Sequence, residues 1–107
     1  MISINMFTKL RKSEAIQLIA DSIKLFDGFD KVYVFGSILD TDRHSNDIDI
    51  LLLYSVFSAR IESSIACITH YLESISGYPL DITALSFEEE KEINFIYRLS
   101  NRILCVK

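Results

Sequence analysis

Hydrophobic positions along this chain change their spacing several times, and each spacing predicts a different kind of element. From about Thr8 to Phe26 they recur every three or four residues, which predicts an amphipathic helix that Asp27-Gly28 ends. Apolar runs at Lys31–Phe35 and Ile48–Tyr54 predict two strands. The second run lacks polar alternation, which is typical of a central strand buried on both faces.

The alternation of helices and strands continues to the end of the chain. We expect a helix, a strand, a helix and a short closing strand over Ser55–Ser76, Tyr78–Leu85, Ser86 to about Leu99, and Arg102–Val106. Gly77 and Pro79 end the first of these helices. A capping box at Ser86-Phe87-Glu88-Glu89 begins the second. This order predicts an α/β (α+β) domain of two or three layers.

Composition narrows the class of protein. With 107 residues, 50% of them hydrophobic and 24% charged, we expect one globular domain spanning residues 1–107. A net charge of −4 argues against a nonspecific nucleic-acid binder. No apolar run approaches the roughly 18 residues of a membrane span, and the N-terminal charge order is opposite to that of a secretory signal. We therefore expect a soluble, cytoplasmic protein without a membrane partner, and we expect Cys67 and Cys105 to be buried, reduced thiols.

Acidic residues that interrupt the apolar runs are the candidate metal ligands. Asp47 and Asp49 share one face at the start of the second predicted strand, where two carboxylates repel each other unless a cation lies between them. Asp81 interrupts the third strand and joins the pair if the two strands are neighbours. Three carboxylates on one face supply the hard oxygen ligands that suit Mg²⁺. The alternative is that Asp47 and Asp49 only terminate the strand.

Gly36-Ser37, directly after the first predicted strand, is a candidate phosphate-binding turn. Glycine lets a backbone approach a phosphate because it has no Cβ. Ser37 begins a helical turn whose free N–H groups attract anions, and its hydroxyl can donate to a phosphate oxygen. The alternative is an ordinary strand-to-helix turn with a serine cap.

Taken together, these residues resemble a known family. Gly36-Ser37, nine intervening residues, Asp47-Ile48-Asp49 and a later Asp81 are similar to the motif of the nucleotidyltransferase superfamily that includes DNA polymerase β. Chain length and element order resemble its minimal, antitoxin-like members, and so does the tail from Phe95 to Lys107. The resemblance implies a small mixed sheet of about four strands flanked by helices.

The resemblance also implies an activity. Asp47, Asp49 and Asp81 would hold two Mg²⁺ (or Mn²⁺) ions and act as the catalytic residues, and Gly36 and Ser37 would bind ATP or another nucleoside triphosphate. The enzyme would transfer a nucleoside monophosphate, as AMP from ATP, to a hydroxyl group. Because the chain leaves no residues for an acceptor-binding domain, we expect the acceptor on a partner macromolecule or across a homo-oligomer. Minimal members of the family often act beside a HEPN-type toxin, so the resemblance implies a partner of that type.

One departure from the family pattern keeps a second hypothesis open. Minimal members often read G-S-x-A-R-G, whereas this chain has Asp40 in place of the arginine and Thr41 in place of the second glycine. An acidic residue near a triphosphate is unfavourable, although Arg43 and His44 could supply compensating charge. The alternative function is therefore a catalytically silent binding module with the same fold in a toxin–antitoxin or larger complex. A plain structural α/β domain would require the whole motif to be a coincidence.

Overall fold

The computed structural model describes residues 9–99 and 102–107, in which the strands follow the predicted order along the chain. The strands are β1 (Lys31–Phe35), β2 (Ile48–Tyr54), β3 (Leu80–Ser86) and β4 (Ile103–Cys105). The α-helices are α1 (Lys12–Asp21), α2 (Ala59–Ser76), α3 (Phe87–Ile93) and α4 (Phe95–Arg98). Single turns of 3₁₀-helix follow α1 and β1, at Ile23–Phe26 and Gly36–Leu39.

The four strands form one mixed sheet in the order β3-β2-β1-β4. β1 pairs antiparallel with both β2 and β4, whereas β2 and β3 run parallel and are connected through α2. Central β2 is covered on both faces, since Ile50, Leu51 and Leu52 are each 0% exposed. The predicted α/β fold with a small mixed sheet is confirmed, including the buried central strand.

Helices lie on both faces of the sheet. One face of β2, formed by Ile48, Ile50 and Leu52, belongs to the main core together with buried side chains of α1 and α2. On the opposite face, the ring of Phe95 from α4 meets the ring of Phe35 edge-on, with 5.5 Å between centroids. None of the helices within residues 9–99 and 102–107 is long and apolar enough to cross a membrane.

The helix boundaries differ from the predicted ones. The expected start of the first helix near Thr8 lies outside the described residues, and α2 begins four residues late, at Ala59. The single helix expected from Ser86 to Leu99 is two helices, because Asn94 adopts a left-handed conformation with φ of 58°. Asparagine tolerates this conformation better than most residues. The predicted capping box is present, with Ser86 Oγ accepting from the Glu89 amide at 3.0 Å.

Both cysteines are exposed, so the prediction of buried thiols is wrong. Cys67 directly precedes the buried Ile68 on α2, and one residue of helix turns its side chain about 100° away from the core. Cys105 lies on β4, the short strand at the edge of the sheet. The apolar character of cysteine did not predict burial at either position, because burial depends on which face of the helix or strand the side chain occupies.

The packing of α2 gives a stability prediction. Leu72 is 0% exposed in the core, whereas Ile75 on the same helix is 42% exposed. Leu72→Ala should lower the free energy of unfolding by about 2–5 kcal/mol, because it removes buried methyl groups and leaves a cavity. Ile75→Ala should change it by only about 0.5 kcal/mol. Urea unfolding of both variants tests this, and equal losses would contradict the assigned helix face.

Candidate active site

Parallel pairing of β2 and β3 brings the acidic residues together. Asp49 and Asp81 are direct register partners on neighbouring strands, so their side chains leave the same face of the sheet. Asp47, two residues before Asp49, joins them. One carboxylate oxygen from each of the three lies within 4.8 Å of the others. The structure therefore places Asp81 on the face that the metal hypothesis requires.

Electrostatics within this carboxylate cluster are unfavourable without a cation. The pKa of Asp49 is raised from 3.8 to about 6, mainly by burial and also by the charges of Asp47 and Asp81. Neighbouring carboxylates shift a pKa upward because each disfavours the ionised form of the other. A divalent cation between them would reverse this effect. The donor set, three carboxylates of which Asp81 is the most exposed, suits a hard cation.

Gly36 is required by the close approach of Asp49. Its φ is +83°, and a Cβ built at this position would overlap Oδ2 of Asp49. Its amide donates to the carbonyl oxygen of Arg102 at 3.2 Å. The glycine predicted for phosphate access therefore also makes room for a carboxylate and anchors the C-terminal segment to the turn after β1.

Ser37 is connected to the acidic cluster through a residue that the sequence did not indicate. The hydroxyl groups of Ser37 and Ser45 lie 3.1 Å apart, and Ser45 Oγ donates to the carbonyl oxygen of Asp47 at 2.9 Å. Because a hydroxyl carries one hydrogen, Ser37 must be the donor to Ser45. Ser45 is 4% exposed, so its contacts are shielded from water. Nothing in its sequence context distinguishes it from other loop serines.

Lys12 holds the segment that carries these residues. From the first turn of α1, its Nζ donates to the carbonyl oxygen of Ser37 at 3.1 Å and to those of Asp40 and Arg43. One ammonium group thereby fixes the turn after β1 at several points. The turn itself is a four-residue 3₁₀-helix rather than a longer helix, so the anion attraction expected from a helix N-terminus is small here.

A cleft of about 400 Å³ adjoins the carboxylate cluster, a volume typical of ligand sites. Residues from the turn after β1, from β2 and from the C-terminal segment line it: Phe35, Gly36, Ser37, Arg43, Asp49, Arg98, Leu99 and Arg102. Of the acidic cluster, only Asp49 lines this cleft. Gly36 and Ser37 lie at its wall, next to three arginines.

Asp40 has a different environment from the one that the sequence suggested. Its Oδ2 contacts Nη2 of Arg102 and lies 3.7 Å from Nη1 of Arg43. The acidic charge is therefore paired with two guanidinium groups. Arg43 and His44 were the two residues expected to supply compensating charge. Arg43 lines the cleft. His44 is exposed, and its Nε2 lies 2.8 Å from Oδ1 of Asn46. Arg98 and Arg102 were missed because only the fold brings them here.

Among known proteins, this chain is similar to solved structures. No protein-family model and no curated protein sequence matches this chain. A mutant MntA–HpeT toxin–antitoxin complex, carrying two Asp-to-Glu substitutions, has a chain that matches with TM-score 0.55 and 18% identity, covering 92% of this chain and 73% of that one.

Two further solved structures are similar over most of the chain. One, from Shewanella oneidensis, is a tri-AMPylated HEPN toxin in complex with an MNT antitoxin (TM-score 0.55, 14% identity, 92% of this chain and 72% of that chain). The other is a candidate nucleotidyltransferase from Sulfolobus solfataricus (TM-score 0.51, 17% identity, 94% of this chain and 89% of that chain). This chain therefore has the nucleotidyltransferase fold that these structures share.

Proposed function

We propose that this protein is a magnesium-dependent nucleotidyltransferase that transfers AMP from ATP to a hydroxyl group of a HEPN-type protein partner, and so acts as an antitoxin. The observation that carries the proposal is the convergence of Asp47, Asp49 and Asp81 beside Gly36-Ser37. Catalysis would be retained because the acidic cluster, which is costly to keep without a cation, is complete.

The residues present fit a pair of divalent cations. Asp47 and Asp49 would bind both ions, and Asp81 would complete the coordination of one of them. The carboxylate oxygens are close enough to share a cation. Burial and the charges of Asp47 and Asp81 raise the pKa of Asp49, which a bound cation would counteract. When bound, the cations would lower the pKa of the acceptor hydroxyl and offset charge that develops on the α-phosphate.

The chain's own groups would position the reactants and move one proton. The Ser37 hydroxyl lies 3.1 Å from Ser45 Oγ. It would leave this hydrogen bond and donate to a phosphate oxygen instead. Asp81 is the most exposed of the three carboxylates and would receive the acceptor's proton. The bond from the acceptor oxygen to the α-phosphorus forms as the bond to pyrophosphate breaks. Positioning and electrostatics would supply most of the rate enhancement.

A HEPN-type protein as acceptor is supported by the fold neighbours. In the Shewanella oneidensis structure an MNT antitoxin is bound to a HEPN toxin that carries three AMP groups. The MntA–HpeT structure is a second toxin–antitoxin complex with this fold. An acceptor on a separate chain also suits an open carboxylate cluster at the surface of a small domain.

The main argument for a silent binding module was the acidic residue after Gly36-Ser37. In the structure Asp40 is paired with Arg43 and Arg102, so it does not leave an uncompensated negative charge at the cleft. The enzymatic function is favoured for this reason, and the transfer experiment below separates the two hypotheses.

Metal and nucleotide binding can be measured by thermal stability. Mg²⁺ or Mn²⁺ with ATP should raise the melting temperature of the wild-type protein, because a ligand that binds only the folded state stabilises it. Asp47→Ala combined with Asp49→Ala should abolish this shift. Asp42→Asn is the control, because it removes one negative charge from an exposed loop position. This variant should retain the shift in melting temperature. The absence of a shift for wild type at millimolar metal and nucleotide would contradict nucleotide binding.

Transfer can be measured with ATP labelled on the α-phosphate and a purified HEPN-type partner. The wild type should label the partner in a reaction that chelation of the metal stops. Asp81→Asn should reduce labelling to below about 1% of the wild-type rate, because it removes a metal ligand and the proton acceptor. A stable complex with an unlabelled partner would instead support the silent module.

The acidic cluster also predicts a pH-dependent stability. Because the pKa of Asp49 is raised from 3.8 to about 6 on folding, its contribution is favourable below about pH 4 and is lost as the pH rises through 6. Without metal, Asp49→Asn should therefore be as stable as wild type near pH 4 and more stable at pH 8. Urea unfolding in a chelator measures this difference, which excess Mg²⁺ should reverse at pH 8. A difference that is constant with pH would be inconsistent with the shift.

A further inference from the structure

Three arginines from distant parts of the sequence converge on the cleft beside Gly36-Ser37. Arg43 belongs to the segment between β1 and β2, Arg98 ends α4, and Arg102 precedes β4. The net charge of the chain is −4, so this concentration of positive charge is local and does not reflect a generally basic protein. A cleft with several guanidinium groups is suited to a ligand with several anionic oxygens.

The backbone of Arg102 is tethered to the turn that contains Gly36. Its carbonyl oxygen accepts from the Gly36 amide at 3.2 Å, and its own amide donates to the Leu99 carbonyl at 3.2 Å. Pairing of β4 with β1 places Ile103 opposite Phe35, the residue before the turn. The position of Arg102 relative to the turn is therefore determined by the sheet and does not depend on its side-chain ion pair.

Asp40 already occupies two of these arginines. Its Oδ2 contacts the guanidinium of Arg102 and lies 3.7 Å from that of Arg43. The side chains of Arg102 and Arg43 are 43% and 60% exposed, so an external anion can reach them. Among residues 9–99 and 102–107, Arg98 has no acidic group within 4 Å of its guanidinium nitrogens. Arg43 and Arg102 are therefore paired with a carboxylate of the chain itself, and Arg98 lies at the same cleft without such a partner among the described residues.

We infer that Arg43, Arg98 and Arg102 bind the β- and γ-phosphates of the nucleotide, and that Asp40 is displaced from Arg43 and Arg102 when the triphosphate binds. The inference rests on the proposed function and extends it, because it names the groups that distinguish a triphosphate from a monophosphate. Asp49 lines the same cleft, which makes the carboxylate side and the arginine side continuous. The α-phosphate would lie at the carboxylates, and the two terminal phosphates at the arginines.

Charge and geometry both favour the exchange of Asp40 for a polyphosphate. A carboxylate offers two oxygens and one negative charge, whereas the terminal phosphates offer more of each and can accept paired hydrogen bonds from a guanidinium group. The ion pairs of Asp40 are partly solvent-exposed, so breaking them costs little. The acidic residue that the sequence presented as an obstacle to nucleotide binding is in this view a replaceable internal anion.

Isothermal titration calorimetry with three probes tests the inference: inorganic tripolyphosphate, ATP and AMP, each with Mg²⁺ and at one salt concentration. Arg102→Gln and Arg98→Gln should each weaken ATP and tripolyphosphate by about tenfold, the effect of losing one hydrogen bond to a charged group. Their affinity for AMP should stay within about twofold of wild type, because AMP lacks the terminal phosphates. Arg102→Lys, which keeps the charge but not the planar fork, should recover part of the loss.

Two further variants complete the experiment. Asp40→Asn should strengthen binding of ATP and tripolyphosphate severalfold, because it removes the competing anion, and should leave AMP unchanged. Arg60→Gln removes the same charge from an exposed position at the start of α2 and should change none of the affinities. Melting temperatures of all variants report separately on any structural role of the Asp40–Arg102 pair.

The outcomes separate this inference from the proposed function. Wild-type affinity for ATP and tripolyphosphate in Arg98→Gln and Arg102→Gln, or an equal loss for AMP, would overturn the phosphate assignment while leaving the transferase proposal intact. Weaker ATP binding by Asp40→Asn would overturn the displacement of Asp40. Arginine-dependent tripolyphosphate binding without any AMP transfer would support the phosphate site and contradict the proposed activity.

Discussion

The parallel pairing of β2 with β3 is the constraint on which the site depends. In this register Asp49 lies directly beside Asp81, and both project from the face opposite the main core. A shift of one residue would move one of the two carboxylates to the other face. The register is specified by burial, because Ile48, Ile50 and Leu52 must face the helices α1 and α2. Hydrophobic packing on one face therefore holds like charges together on the other, at the cost seen in the raised pKa of Asp49.

The segment between β1 and β2 depends on contacts from outside itself. Lys12 binds three of its carbonyl oxygens from α1, Ser45 connects Ser37 to Asp47, and the carbonyl of Arg102 accepts from Gly36. Backbone groups in a loop without a ladder of their own need such partners. In the candidate site the Gly36-Ser37 turn and the backbone of Asp47 are therefore joined by hydrogen bonds through Ser45.

Sequence patterns gave the strands well and the helix ends less well, for physical reasons. β1 and β2 have the predicted bounds, because each is a short apolar run that polar or glycine residues end on both sides. The break at Asn94 was not visible, since an asparagine in a helical pattern does not reveal whether its φ is positive. Asp47, Asp49 and Asp81 could be found from alternation within apolar strands. Ser45, Arg98 and Arg102 could not, because their proximity to Gly36-Ser37 is created by the pairing of β4 with β1 and by the path of the loop.

Asp40 shows why a local motif is an incomplete guide to the electrostatics of a site. Within the sequence it stands where the similar family often has a basic residue, and the expected effect was repulsion of a triphosphate. The potential in a cleft is set by every charge that the fold brings there, whatever its distance along the chain. Here Arg43, Arg98 and Arg102 line the cleft, and Arg43 and Arg102 also pair with Asp40. The positive charge absent from the turn is therefore restored by residues up to 62 positions away, and the turn sequence alone does not argue against nucleotide binding.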